Sequence, residues 1–300
     1  NILQGESEFD LFGSSVSLSA DGKTVAVGAP QADAPNQEYD YYKSHGAVRV
    51  YRYKEDSQSW IQYGSTIYGD IQSDGAGGAV SLNSDGSVLA ICASDRGDQG
   101  RIGKVRVYYY NTSQSEWSQR GESISGVFTD SGFGRNLALN STGDILVVGA
   151  HLYSKDGWRS NSYEGLVKVY SYDASLSLWK QLGSTFEGER GWQLGQSLDL
   201  SADGSILAIG AGLGSGVGQV LVYKFLPGLE EWRKLGSTVE GLVDRDDAGG
   251  SVSLSSDGST VGTKSWAGMA GYRIFDYNSS SQDWEQNGDK VENGEQGNEA

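Results

Sequence analysis

Residues 12–30 read Phe-Gly-Ser-Ser-Val-Ser-Leu-Ser-Ala-Asp-Gly-Lys-Thr-Val-Ala-Val-Gly-Ala-Pro. The stretch decides the fold, because the chain writes it again about every 60 residues. Two short apolar runs, Val16-Ser-Leu18 and Thr24-Val-Ala-Val-Gly28, flank Ala20-Asp-Gly22, which is a hairpin signal. The turn glycine recurs at Gly86, Gly143, Gly204 and Gly258. A third run alternates apolar and polar residues, as a half-buried strand does. It reads Val48-Arg-Val-Tyr51, then Val105-Arg-Val-Tyr108, Val167-Lys-Val-Tyr170, Val220-Leu-Val-Tyr223 and Tyr272-Arg-Ile-Phe275. A tryptophan follows each of those runs at one fixed spacing: Trp60, Trp117, Trp179, Trp232 and Trp284. A glycine follows each tryptophan at another: Gly64, Gly121, Gly183, Gly236 and Gly288. With only 8 tryptophans in 300 residues, chance does not place them so.

The segment after each tryptophan, such as Ile67-Tyr-Gly69, supplies a fourth strand. Four antiparallel strands per repeat make one blade of a β-propeller. The expected fold is all-β, a single propeller domain over residues 1–294, most simply five-bladed, with a polar acidic tail at 295–300. The repeats fall at about 6–69, 70–126, 127–188, 189–241 and 242–294. Ile2-Leu-Gln-Gly5 matches the end of a fourth strand, so it either helps close a five-bladed ring or is the remnant of another blade. The fifth repeat is atypical: Lys264 stands where the others carry Gly28, Cys92, Gly149 and Gly210. A degenerate terminal repeat is what array logic expects.

A formal charge of −16 argues against nucleic acid or an anionic membrane as partner, since both select basic surfaces. No apolar run reaches the ~20 residues of a membrane span. The single cysteine, Cys92, excludes an internal disulfide framework and reads as a small buried thiol. The chain opens on Asn1 with neither initiator methionine nor signal peptide, which reads as a processed or excised segment.

Phe12-Gly13 with Gly28-Ala-Pro30, Phe133-Gly134 with Gly149-Ala150, and Leu194-Gly195 with Gly210-Ala211 resemble the FG-GAP repeat of integrin-α-type propellers. That resemblance covers nearly the whole chain. It implies a secreted, cell-surface or organelle-lumenal protein and a role in adhesion or recognition. Such repeats often hold calcium in an Asp/Asn-rich loop. Here the corresponding turn is only Ser19-Ala-Asp-Gly22 or its equivalents, too few oxygens for a calcium ion, so no cofactor or metal is expected.

In a four-stranded meander, the strand 2–3 and strand 4–1 connections share one rim, called here the upper rim. Their variable length makes it the expected binding face. The three tryptophans outside the repeat rule, Trp158, Trp192 and Trp266, fall there. So do Tyr39, Tyr41, Tyr42, Tyr153 and Tyr163, and both histidines, His45 and His151. Aromatic groups with polar tips suit recognition surfaces. Asp10, Asp74 and Asp246 recur on the same rim, where local bonding to turn backbone is the expected role. Asp244-Arg-Asp-Asp247 reads as a solvated turn. Sequons at Asn111, Asn140 and Asn278 map to the opposite rim.

Little raw material exists for catalysis. No H-E-x-x-H, Cys pair or Gly-x-Ser-x-Gly elbow is present. Gly210-Ala-Gly-Leu-Gly-Ser-Gly-Val-Gly218 joins strands instead of opening a helix, so it lacks a phosphate-binding dipole. The sequence therefore points to a non-catalytic recognition or adhesion module. It would bind a protein or glycan through the upper rim, as a free domain or a subunit of a larger assembly. Carbohydrate binding is the second expectation and glycosidase-type catalysis the third.

Overall fold

The structure is a computed structural model that describes residues 2–35, 44–93, 102–157, 162–212, 216–266, 271–289 and 291–292. Five antiparallel sheets follow one another along the chain. The first contains β1 (Ser15–Leu18), β2 (Thr24–Ala29), β3 (Ala47–Lys54), β4 (Ser59–Gln62) and β5 (Ile67–Tyr68). The second contains β6 (Ala76–Leu82), β7 (Val88–Ala93), β8 (Lys104–Asn111), β9 (Glu116–Gln119) and β10 (Ile124–Ser125). The third runs β11 (Asn136–Leu139), β12 (Ile145–Ala150), β13 (Leu166–Asp173), β14 (Leu178–Gln181), β15 (Phe186–Glu187). The fourth runs β16 (Ser197–Leu200), β17 (Ile206–Ala211), β18 (Gln219–Leu226), β19 (Glu231–Lys234), β20 (Val239–Glu240). The fifth runs β21 (Val252–Leu254), β22 (Thr260–Ser265), β23 (Gly271–Asn278), β24 (Asp283–Gln286), β25 (Val291–Glu292). This is the all-β, five-bladed arrangement the repeats announce, with no helix among the described residues. Each fourth strand is split, because both of its halves pair with one third strand: β4 with Tyr51–Lys54 and β5 with Ala47–Val48.

The repeat letters acquire physical meaning at the joints between blades. Each Gly-Ala strand end lies against the next blade's Phe-Gly or its equivalent. A Cβ on Gly28 would sit 2.0 Å from the Gly77 carbonyl oxygen, on Gly149 2.6 Å from that of Gly195, and on Gly210 2.0 Å from that of Gly249. Blades approach that closely only where a side chain is absent. The tryptophans lock the outer part of each joint. Trp117 donates its indole N–H to the Tyr63 carbonyl at 2.8 Å, Trp179 to Arg120 at 2.9 Å, Trp232 to Leu182 at 3.1 Å and Trp284 to Leu235 at 2.7 Å. Each ring covers the glycine one residue past its acceptor: Gly64, Gly121, Gly183 or Gly236. The Trp and the Gly of one repeat therefore serve opposite faces of the blade.

The Asp-Gly turns form a second chain of contacts on the lower rim. Ala20 N–H donates to the Ser84 carbonyl, Ser84 to Ser141, Ser141 to Ala202 and Ala202 to Ser256. The core consists of inter-blade layers, such as Ala26, Val48 and Val50 against Val80, Leu82 and Ile91. The Cys92 thiol is buried in one of these joints, beside Gly134 of the next blade.

The packed sheets run in series, first on second through fourth on fifth. The outer faces of the series are open: Val16 and Leu18 are 59% and 56% exposed, and Tyr272 and Val291 53% and 58%. Residues 2–5 do not join the fifth sheet. The free edge of β23 is already taken by β24 and β25, so no edge remains there for an N-terminal strand.

Candidate functional site

One pair of side chains recurs beneath the upper rim and then changes. Where the third residue of the third strand is an arginine, it points back at the connection leading into its own blade. In the second blade that residue is Arg106, buried, paired with Asp70 and 3.9 Å from Asp74, and donating to the Tyr68 carbonyl. In the fifth it is Arg273, 3.6 Å from Asp246 and donating to the Glu240 carbonyl at 2.7 Å. In the first it is Arg49, which reaches Glu6 at 2.6 Å. The aspartates cap their own turns: Asp70 N–H donates to Asp74 at 2.8 Å and Leu242 N–H to Asp246 at 2.8 Å. This is the local role expected of them. Asp246 is nonetheless fully buried and bonded by Ser265 at 2.7 Å, so the 244–247 run is not the solvated turn its charge suggests. In the fourth blade Trp192 and Leu221 occupy the two positions, and an apolar contact replaces the ion pair.

The third blade has neither solution. Ser131 stands at the aspartate position and turns its hydroxyl to the Phe128 carbonyl at 3.0 Å, while Lys168 stands at the arginine position. Where the clamp would be, a cavity of about 180 Å³ opens, lined among others by Phe128, Ser131, Tyr153, Leu166, Lys168 and Glu187. The β13–β15 register sets Glu187 opposite Leu166, so Glu187, Leu166 and Lys168 share one face of the sheet. Glu187 also holds Lys155 at 3.1 Å. Phe128 lies against the Tyr153 ring with centroids 4.8 Å apart. Burial, and next the nearby Glu187 carboxylate, push the Tyr153 phenol up, which keeps it a neutral donor. The cavity thus has aromatic and aliphatic walls, a carboxylate, and a lysine without a partner among the described residues.

The described upper-rim aromatic residues lie in separate places. Tyr153 is buried in this cavity. Trp192 is half-buried and lines a separate cavity of about 200 Å³ with Gln219 and Glu240. Trp266 is 52% exposed beneath the Lys264 ammonium, which also meets Asp247 at 2.9 Å. Tyr163 is half-buried in a left-handed backbone conformation. His45 and His151 each bury an Nδ1 without a hydrogen-bond partner. Burial, and secondarily Arg135, lower the His151 pKa to about 4. Tyr39, Tyr41, Tyr42 and Trp158 lie outside the described residues. Lys168 and Glu187 were not read as site residues in the sequence; the available signal was the loss of the Asp/Arg pair at matching repeat positions. Among the described residues no group of three or more His, Cys, Asp or Glu is placed to hold a metal ion. Among the described residues no helix is long and apolar enough to cross a membrane.

No family model matches the chain, and no curated protein matches it. Solved structures do. The periplasmic gluconolactonase of Pseudomonas aeruginosa is 17% identical with a TM-score of 0.58, over 91% of this chain and 70% of that one. Sqt1 of Saccharomyces cerevisiae is 12% identical with a TM-score of 0.57, over 97% and 64%. A 6-phosphogluconolactonase-like protein of Bacteroides fragilis, described as putative, is 13% identical with a TM-score of 0.51, over 93% and 84%. These likenesses establish a propeller framework shared with lactonase-type proteins and correct the FG-GAP, integrin-α-like assignment. The Phe-Gly and Gly-Ala letters record the close approach of neighbouring blades, a packing need that is not peculiar to integrins. The adhesion role, which that resemblance implied, and the exclusion of catalysis, which the lack of catalytic motifs suggested, are both withdrawn, since lactonases stand among the structural neighbours.

Proposed function

We propose that this protein opens a small lactone ring at the cavity of the third blade, with Glu187 as general base and Lys168 as the cation facing the developing oxyanion. The observation that carries the reading is the missing clamp: one joint gives up a buried ion pair for a cavity holding a carboxylate and a lysine. Its volume is below the ~300–1,000 Å³ of drug-sized sites, in keeping with a monosaccharide-sized ring. Phe128 and Tyr153 offer ring faces to the apolar side of such a substrate.

In this reading Glu187 takes a proton from water and the water oxygen attacks the lactone carbonyl. Lys168 steadies the tetrahedral oxyanion. The ring C–O bond then breaks, and the leaving alkoxide recovers the proton from Glu187. The product is a hydroxy acid whose carboxylate suits the two lysines, Lys168 and Lys155. The gluconolactonase and 6-phosphogluconolactonase names among the neighbours support aldonolactones as the first substrates to try, and the periplasmic neighbour supports a location outside the cytoplasm.

The test is base consumption in a pH-stat with glucono-1,5-lactone and its 6-phosphate, against spontaneous opening. The wild-type protein accelerates opening. Glu187→Gln lowers kcat by roughly 10²–10⁴-fold and Lys168→Met by roughly 10²–10³-fold. A wild-type rate equal to the spontaneous one sinks the reading.

A further inference from the structure

The fourth blade holds a cavity of about 200 Å³ at the place that the third blade's cavity occupies, and its charge is of the opposite sign. The register is shared: β20 sets Glu240 opposite Gln219, as β15 sets Glu187 opposite Leu166. In the third blade Lys155 meets Glu187, and Lys168 stands two residues after Leu166 on the same sheet face. In the fourth, Leu221 takes the Lys168 position and packs with Trp192, so that cation is gone. The Glu240 side chain enters no hydrogen bond or ion pair among the described residues. Its backbone is pinned all the same. The Glu240 carbonyl accepts an Arg273 N–H at 2.7 Å, and Asp246 meets the charge of that arginine. Trp192 supplies an aromatic wall, Gln219 an amide, and Gly212 and Gly218 leave the space uncrowded. A Cβ on Gly212 would stand 2.7 Å from Asp247 Oδ1, a buried oxygen without a hydrogen-bond partner. The described lining thus holds a carboxylate and an aromatic ring, and neither lysine nor arginine.

We infer that this cavity binds a small organic cation, an alkylammonium or alkylguanidinium, at a site separate from the third blade's cavity. A carboxylate holds such a group most strongly where the cation's N–H groups donate to it. Glu240 and the Gln219 amide oxygen supply the acceptors, and the face of the Trp192 ring attracts the same charge. The protein already uses this combination internally. Arg106 pairs with Asp70 and lies over the Tyr108 ring, and Arg273 lies by Asp246 and over the Phe275 ring. In the fourth blade the arginine position is Leu221, and a ligand brings the cation instead. The volume is below that of drug-sized sites and suits a short chain. A net charge of −16 favours the arrival of cations over anions.

Isothermal titration calorimetry at low ionic strength tests the inference with agmatine, which carries both an ammonium and a guanidinium. One agmatine is expected to bind per chain. Glu240→Gln changes an exposed side chain, which spares the fold, and should weaken binding roughly tenfold or more. Leu221→Lys copies the third blade's Lys168 and should abolish binding, because the protein then supplies its own cation. Glu55→Gln removes the same charge from the lower rim and should leave the affinity unchanged. A wild type that binds no agmatine at millimolar concentration overturns the inference, and so does unchanged affinity in Glu240→Gln. Equal losses in Glu55→Gln and Glu240→Gln also overturn it, since they would mean general attraction to an acidic surface. Tighter binding of acetyl-glycyl-arginyl-glycinamide than of agmatine would assign the cation to a polypeptide side chain and overturn the small ligand.

Discussion

At the residue scale, buried charge divides into pairs the fold needs and groups it leaves exposed to titration. Asp246 holds Arg273, and both side chains are almost fully buried. Burial pushes the Arg273 guanidinium below its usual range and Asp246 opposes that shift. Removing one partner strands the other, so Asp246→Ala is expected to cost about 3–5 kcal/mol in denaturant unfolding. The double change Asp246→Trp with Arg273→Leu copies the fourth blade's Trp192 and Leu221. Its cost should be well below the sum of the single changes, and strict additivity would refute the coupling. His151 gives a pH signature. Its folded pKa of about 4 lies below the unfolded value near 6.5, so the unfolded chain binds the extra proton. The stabilisation is complete above pH 6.5 and is lost as pH falls towards 4, roughly 2–3 kcal/mol in all once partial exposure is allowed for. His151→Gln should flatten unfolding free energy across that window while leaving it sloped below pH 4. There the turn aspartates take over, Asp257 protonating at about 2. The candidate site was only half legible at this scale. Tyr153 stood out as an aromatic residue on the expected rim, but Lys168 was hidden in a repeat letter that elsewhere means structure.

At the scale of the blade element, the Trp and Gly letters are one device read in two places. The sequence spacing shows that both recur; it does not show that Gly64 answers Trp117 instead of its own Trp60, because that pairing crosses a joint about one repeat long. Strand alternation was legible for the same reason the repeats were, since each strand has one face per neighbouring blade. The Ala20-Asp-Gly22 turn was legible through glycine: Gly22 takes φ 70°, a conformation other residues resist. The split fourth strand was not legible, because its break follows from pairing both halves with one long third strand. The device makes a sharp prediction. Trp179→Ala empties a joint and should cost about 3–5 kcal/mol. Gly183→Ala should also destabilise, since its Cβ would lie 2.7 Å from Trp232 on a residue already at φ 74°. Combined with Trp232→Ala, which removes the clash, Gly183→Ala should cost markedly less than it does alone. An equal cost in both backgrounds would show that backbone strain, not the socket, decides the effect.

At the scale of the whole molecule, five blades were countable in the sequence, but how they met at the ends was not. Closure depends on accumulated rotation between sheets, and no local letter encodes that sum. The open series has a consequence for stability, because each blade is held mainly by its neighbours, as in other repeat arrays. Among the described residues the second, third and fourth blades are packed on both faces, and the first and fifth on one. The fifth is the weaker end, since Thr263 and Lys264 stand where the inner blades carry apolar or absent side chains. Hydrogen exchange should therefore be graded along the series. Protection should be highest around Leu89–Ile91, Leu146–Val148 and Leu207–Ile209, where the largest fully buried side chains lie. It should be lowest in β21 and β22, with β1 between the two. Uniform protection across the five sheets would mean that the blades open together, and that neighbour contacts do not set local stability.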